Sequence, residues 1–108
     1  MKVKVITQHL GEGIFPTFNK GTIISVGDEC SHFLNWYPCD INGYKTYIPK
    51  IYFTDNKLTC DYNPTELVAE VGEVLDVHEI VYAWLYATNN KGDTGWIPAE
   101  VVASVTDV

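Results

Sequence analysis

Two stretches of this chain are imperfect copies of each other, and a duplication of this size restricts the fold to one small unit made twice. The first copy reads Gly21-Thr-Ile-Ile-Ser-Val26, then Trp36, Asn42-Gly43 and Tyr47-Ile48-Pro49. The second reads Gly72-Glu-Val-Leu-Asp-Val77, then Trp84, Lys91-Gly92 and Trp96-Ile97-Pro98. Gly43 precedes Pro49, and Gly92 precedes Pro98, by the same six residues, and the two prolines lie 49 residues apart. Each copy then needs its own buried face. Divided between Thr54 and Asp55, the 108 residues give two domains, 1–54 and 55–108. A unit of that length buries only roughly 60% of the surface its unfolded chain exposes, so the halves gain by packing together. The link 54–57 is short enough to favour a fixed pair.

The elements expected are strands. Apolar residues come in short β-branched and aromatic bursts separated by Gly, Asn, Asp and Pro, the pattern of an all-β chain. Val3 and Val5 alternate with lysines as in a half-buried strand, and residues 9–20 read as a long irregular loop. Further strands are expected over 23–26, 32–39, 44–48, 58–62, 73–77 and 94–97. Asn42-Gly43 is a tight-turn signal, and residues 63–65 and 89–92 read as further turns. A 3₁₀ turn is expected after Pro49. Residues 80–88 read as the longest strand, with Val81, Ala83, Leu85 and Ala87 on one face and Tyr82, Trp84 and Tyr86 on the other. Pro38 implies an edge or a bulge in its strand.

Charge narrows the partners. There are seven lysines, no arginine and fourteen acidic residues, and nine of the acids against two lysines lie after Asp55. An acidic surface without the planar guanidinium fork repels phosphate backbones, which excludes nucleic acid as a partner. A basic peptide fits the charge, although an acidic face is more often simply solubilising. Cys30, Cys39 and Cys60 are an odd, widely spaced set; free thiols of this kind suit a reducing compartment. The N-terminal residues lack the apolar core of a signal peptide, and no run approaches the ~20 apolar residues of a membrane span. The expected location is the cytoplasm, away from membranes.

Asp61-Tyr62, Glu66-Leu67, Gly72-Glu-Val-Leu75, Trp84-Leu-Tyr-Ala87 and Gly95-Trp-Ile-Pro98-Ala-Glu-Val-Val102 in the second copy resemble the Src-homology-3 (SH3) family, in particular its bacterial SH3-like branch. The first copy matches through Gly21-Thr-Ile-Ile24, Trp36-Tyr-Pro-Cys39 and Tyr47-Ile-Pro-Lys-Ile-Tyr-Phe53. The resemblance implies two tandem SH3-like small β-barrels packed against each other. It also places Cys39 and Ala87 at one shared buried position, and Ile48 and Ile97 at another. Family members bind extended proline-rich peptides on an aromatic groove, where the preformed polyproline II conformation lowers the ordering cost. The implied binding residues are Trp36, Pro49 and Tyr52 in the first copy, and Asp61, Tyr62, Trp84, Tyr86, Pro98 and Glu100 in the second. The rings would stack on a partner's apolar or proline side chains, and Asp61 and Glu100 would attract a cationic group. Neither groove is complete: the first copy has no tyrosine in its opening strand, and Val101 stands where the second copy needs the 3₁₀ tyrosine. Two other uses of the same surfaces are cell-wall glycopeptide binding and a purely structural role, in which the rings join the two barrels or a homodimer.

Chemistry of other kinds has little to build on. Zinc needs four converging N or S ligands, usually in close pairs, and Cys30, His32 and Cys39 lack that spacing. His9 and His78 have no partners within reach by spacing. Cys30 with His32 is the sole candidate nucleophile and base, with no third group to orient it. The expectation is a non-catalytic binding module with no cofactor and no metal.

Overall fold

Ten short strands and two 3₁₀ turns make up the computed structural model, which describes residues 1–105. The all-β expectation holds: no α-helix occurs among the described residues, and none of the sheets closes into a barrel. Among the described residues, no helix is long and apolar enough to cross a membrane.

Two compact units form, with bounds other than those the repeat suggests. One combines Met1–Ile14 with the chain from Thr65 onward; the other is the continuous stretch Phe15–Pro64. The division expected at Thr54/Asp55 falls inside the latter unit, in the turn of a hairpin between β5 (Phe53–Thr54) and β6 (Lys57–Leu58). Asp55 and Asn56, at φ 51° and 58°, supply the two left-handed residues a two-residue hairpin turn needs, and Asp and Asn tolerate that region best among residues with a Cβ. Residues 54–57 are therefore a turn and not a linker.

The two-segment unit holds a five-stranded antiparallel sheet. Its strands are β1 (Lys2–Val5), β7 (Val74–Val81), β8 (Trp84–Thr88), β9 (Thr94–Pro98) and β10 (Val102–Ser104), in the order β10-β1-β7-β8-β9. A 3₁₀ turn, Ala99–Val101, separates β9 from β10. Val3, Val5, Leu67, Ala69, Leu75, Leu85, Ala87 and Ile97 form its core; burying a large aliphatic side chain of this kind contributes about 1.5–3 kcal/mol. The long strand expected over 80–88 is instead a hairpin. Val81 pairs with Trp84 across Tyr82 and Ala83, whose φ values are 42° and 69°. Tyr82 and Ala83 are exposed, so they leave the two faces anticipated for them, while Leu85 and Ala87 stay buried and Trp84 and Tyr86 share the opposite face. A register shift between Val77 and Glu79 bulges β7 at His78.

The continuous unit contains β2 (Ser25–Val26), β3 (Trp36–Ile41) and β4 (Tyr44–Pro49), a 3₁₀ turn Lys50–Tyr52, then the β5–β6 hairpin. β3 begins only at Trp36; residues 31–35 bend and turn, with Asn35 at φ 69°. Asn42 and Gly43, at φ 53° and 87°, make the expected tight turn. Of the strand expected over 58–62, only Leu58 lies in β6; Tyr62 pairs singly with Phe18, and residues 63–65 form no turn.

Backbone hydrogen bonds reveal how the two units correspond. Gly21 N–H to Leu58 C=O (2.8 Å), Leu58 N–H to Thr22 C=O (2.9 Å) and Ile24 N–H to Asn56 C=O (2.9 Å) join β6 to the stretch preceding β2. The continuous unit thus has the neighbour order β5-β6-β2-β3-β4, which matches β10-β1-β7-β8-β9 position for position. The chain order differs by one cyclic step: the strand equivalent to β1, which opens the two-segment unit, is β6, which comes last in the continuous one. The hydrogen bonds coincide in detail. Gly72 N–H reaches Val5 C=O (2.9 Å) as Gly21 reaches Leu58, and Ile6 N–H reaches Val101 C=O (2.8 Å) as Thr59 reaches Tyr52 (2.9 Å). Along the sequence, the continuous unit interrupts the long loop between β1 and β7.

Candidate functional site

The shared register assigns an equivalent to every residue of the anticipated grooves. Trp36 pairs with Pro49 across β3 and β4, and Trp84 pairs with Pro98 across β8 and β9. Each proline leads into a 3₁₀ turn in extended conformation, at φ −77°, ψ 149° and φ −68°, ψ 140°. Tyr52 and Val101 end the two turns at the same place. The loop after the first strand supplies the remaining member: Tyr62 bridges Phe18, and His9 bridges Ala69, each four residues beyond an equivalent strand position (Leu58 and Val5). His9 and Tyr62 are therefore counterparts.

This corrects the assignment of Asp61-Tyr62, which belongs to the continuous unit with Trp36, Pro49 and Tyr52. That unit therefore has the tyrosine that the first copy lacks when the chain is divided at Thr54/Asp55. Tyr62 meets Tyr52 edge-on at 5.6 Å and donates its hydroxyl hydrogen to the Tyr47 carbonyl at 2.6 Å. The two-segment unit has His9, Trp84, Pro98 and Val101 at the matching positions, with the His9 ring edge-on to Trp84 at 6.0 Å.

The anticipated binding residues separate by exposure. Trp36, Tyr62, Pro49 and Pro98 are buried. Tyr52, Trp84 and Tyr86 are half-buried, and Asp61 and Glu100 are exposed. The Asp61 carboxylate accepts the backbone N–H of Lys20 at 2.8 Å, so it ties its own segment to that of Lys20. Tyr86 lies against Trp96 (5.0 Å, tilted) and His78 (6.3 Å). His78 Nε2 is 2.6 Å from the Thr88 hydroxyl, which is 2.7 Å from that of Thr94. His78 thus has partners that spacing did not suggest.

His9 has more. Its Nε2 lies 3.0 Å from Glu66 Oε1 and its Nδ1 2.9 Å from the Leu67 carbonyl oxygen, and both charged side chains of the pair are only 14% exposed. Burial, the largest single influence, disfavours the imidazolium. The hydrogen bonds to Glu66 and Leu67 and the charges of Glu66 and Glu12 outweigh it, so His9 titrates above its ordinary range. Glu12 is pushed up by burial and by Glu66, with His9 opposing. No local sequence signal announces this cluster, because its members come from the two separate segments of the unit.

Two of the three thiols, Cys39 and Cys30, are biased toward their protonated form. Cys39 is buried opposite Thr46, as Ala87 is opposite Gly95, and burial, with a smaller contribution from Asp40, pushes its thiol up to about 12. Burial also raises Cys30. A thiol held protonated is a poor nucleophile and a poor metal ligand. Cys39 and Ala87 share one buried position, and Ile48 and Ile97, both fully buried, share another. No protein-family model, no curated protein and no solved structure matches this chain.

Proposed function

We propose that this chain is a non-catalytic protein- or peptide-binding module, working in the cytoplasm and made of two SH3-like units, one in cyclically shifted chain order. The observation that carries this reading is the recurrence of one constellation at equivalent positions: Tyr62, Trp36, Pro49 and Tyr52 in one unit, and His9, Trp84, Pro98 and Val101 in the other. A first strand, a long loop, a sheet of short strands and a proline-led 3₁₀ turn before the last strand further support it.

The surface offered to a ligand consists of the half-buried rings. In the continuous unit that ring is Tyr52; in the two-segment unit it is Trp84 with Tyr86. Buried Trp36, Tyr62 and the two prolines serve as their support. The two-segment unit carries three lysines against nine acidic residues, which favours a ligand with a cationic side chain beside its prolines.

An NMR titration with a mixture of proline-rich peptides containing lysine or arginine tests this. The Trp84 indole and the Tyr86 ring should shift and saturate together, the Tyr52 ring should saturate on its own, and Trp84→Ala should abolish the shift at Tyr86 while the backbone spectrum stays dispersed. Rings that do not move with any peptide would rule the reading out. Saturable binding to purified cell wall in place of peptide would redirect it to glycopeptide.

A further inference from the structure

We infer that His9 is a proton-operated latch that closes the loop arms of the two-segment unit, joining the segment ending at Ile14 to the segment beginning at Thr65. The arms, residues 6–14 and 65–73, are paired by reciprocal backbone hydrogen bonds between His9 and Ala69, both 2.9 Å. Above that pairing the His9 ring spans to the opposite arm twice, through Nδ1 to the Leu67 carbonyl and Nε2 to the Glu66 carboxylate.

Both partners are acceptors. An imidazolium has two N–H donors and satisfies both; a neutral imidazole has one donor and one lone pair, so on losing a proton it must turn a lone pair toward an oxygen. One of the two cross-arm bonds is lost with the proton, whichever tautomer forms. The charged groups facing the ring are Glu66 from the opposite arm and Glu12 from its own, and its neighbour on β8, Trp84, carries no charge. At 14% exposure the pair is weakly screened, so breaking it has a larger effect than at the surface.

The direction in pH follows from the raised titration of His9 in the fold. The latch is fully closed below about 6.5, the value of an unperturbed histidine, and its contribution is lost as pH rises through the higher folded value. The continuous unit has an internal control. Tyr62 occupies the counterpart position and holds its arm by a phenol-to-carbonyl hydrogen bond in which no histidine takes part. The latch operates whether or not the aromatic surface takes a ligand.

The test is amide hydrogen exchange on the full chain from about pH 5.5 to 8.5, corrected for the intrinsic rate, with the His9 ring titrated in parallel by NMR. Protection of the His9 and Ala69 amides should fall by about tenfold for each pH unit by which the His9 midpoint exceeds ~6.5. Protection of Phe18 and Tyr62 should stay level. Glu66→Gln should lower the midpoint and shrink the fall. A midpoint at or below 6.5, constant protection at His9 and Ala69, or an equal fall at Phe18 and Tyr62 would each overturn the inference. The wild-type measurements stand alone if the Glu66 variant does not fold.

Discussion

The Tyr62 hydroxyl is hydrogen-bonded to the backbone carbonyl of Tyr47 at 2.6 Å, tying a residue near the end of the continuous unit to its edge strand β4. Tyr62 is buried, and its phenol thereby satisfies both the ring's need for an apolar site and the hydroxyl's need for an acceptor. Tyr62→Phe keeps the ring and removes the bond. It should destabilise the protein by about 0.5–1.5 kcal/mol, read as a lower urea midpoint at unchanged slope. An unchanged midpoint would mean that the bond contributes nothing.

Gly95 admits the chain more closely than any side chain would permit. A Cβ there would lie 2.8 Å from the Leu67 backbone N and 2.9 Å from the Thr65 carbonyl oxygen, where residues 65–67 run beside β9 through the Trp96 N–H to Thr65 bond (3.0 Å) and the Leu67 N–H to Trp96 bond (2.8 Å). Gly95→Ala should cost about 1–3 kcal/mol by overpacking, measured by denaturant unfolding. Its counterpart in the continuous unit is Thr46, so Thr46→Ala creates no such clash.

The turn at Tyr82-Ala83 puts two ordinary L-residues at positive φ, each of which costs energy that Asn or Gly would avoid. Replacing the pair by Asn-Gly should raise stability by about 1 kcal/mol, seen as a higher melting temperature. A continuous strand over 80–88, as its apolar run suggests, would instead be weakened by the same exchange.

Cys39, buried and held protonated with its thiol pushed up to about 12, should resist alkylation in the native protein and react only on unfolding. Peptide mapping after labelling with and without urea would check this. Native labelling of Cys39 at the rate of a free thiol would contradict the packing described here.

The repeat was legible in the sequence because it preserves what the backbone demands. Gly21 and Gly72 stand at φ 89° and 97°, and Gly43 and Gly92 at φ 87° and 88°; the Trp–Pro pairing recurs in register. Those matched segments follow the same chain order in both copies, and only the strand equivalent to β1 changes place. Asp61-Tyr62 lies between the copies, so its neighbours along the chain could not decide which unit it joins. The Tyr82-Ala83 hairpin was hidden because its turn has none of the residues that usually mark one. The His9 cluster was hidden because its partners Glu66 and Leu67 lie 57 and 58 residues further along the chain, with the whole of the other unit's sequence in between.

Cross-strand nuclear Overhauser contacts of residues 57–62 test the cyclic correspondence most directly. The structure predicts Phe18 amide contacts to Tyr62 and Gly21 contacts to Leu58, from reciprocal 2.8 Å hydrogen bonds at Phe18–Tyr62 and a 2.8 Å bond at Gly21–Leu58, with Val3 opposite both Leu75 and Ser104. Contacts from residues 57–62 to β7 or β10, with β1 displaced from between them, would contradict it and restore a simple tandem division.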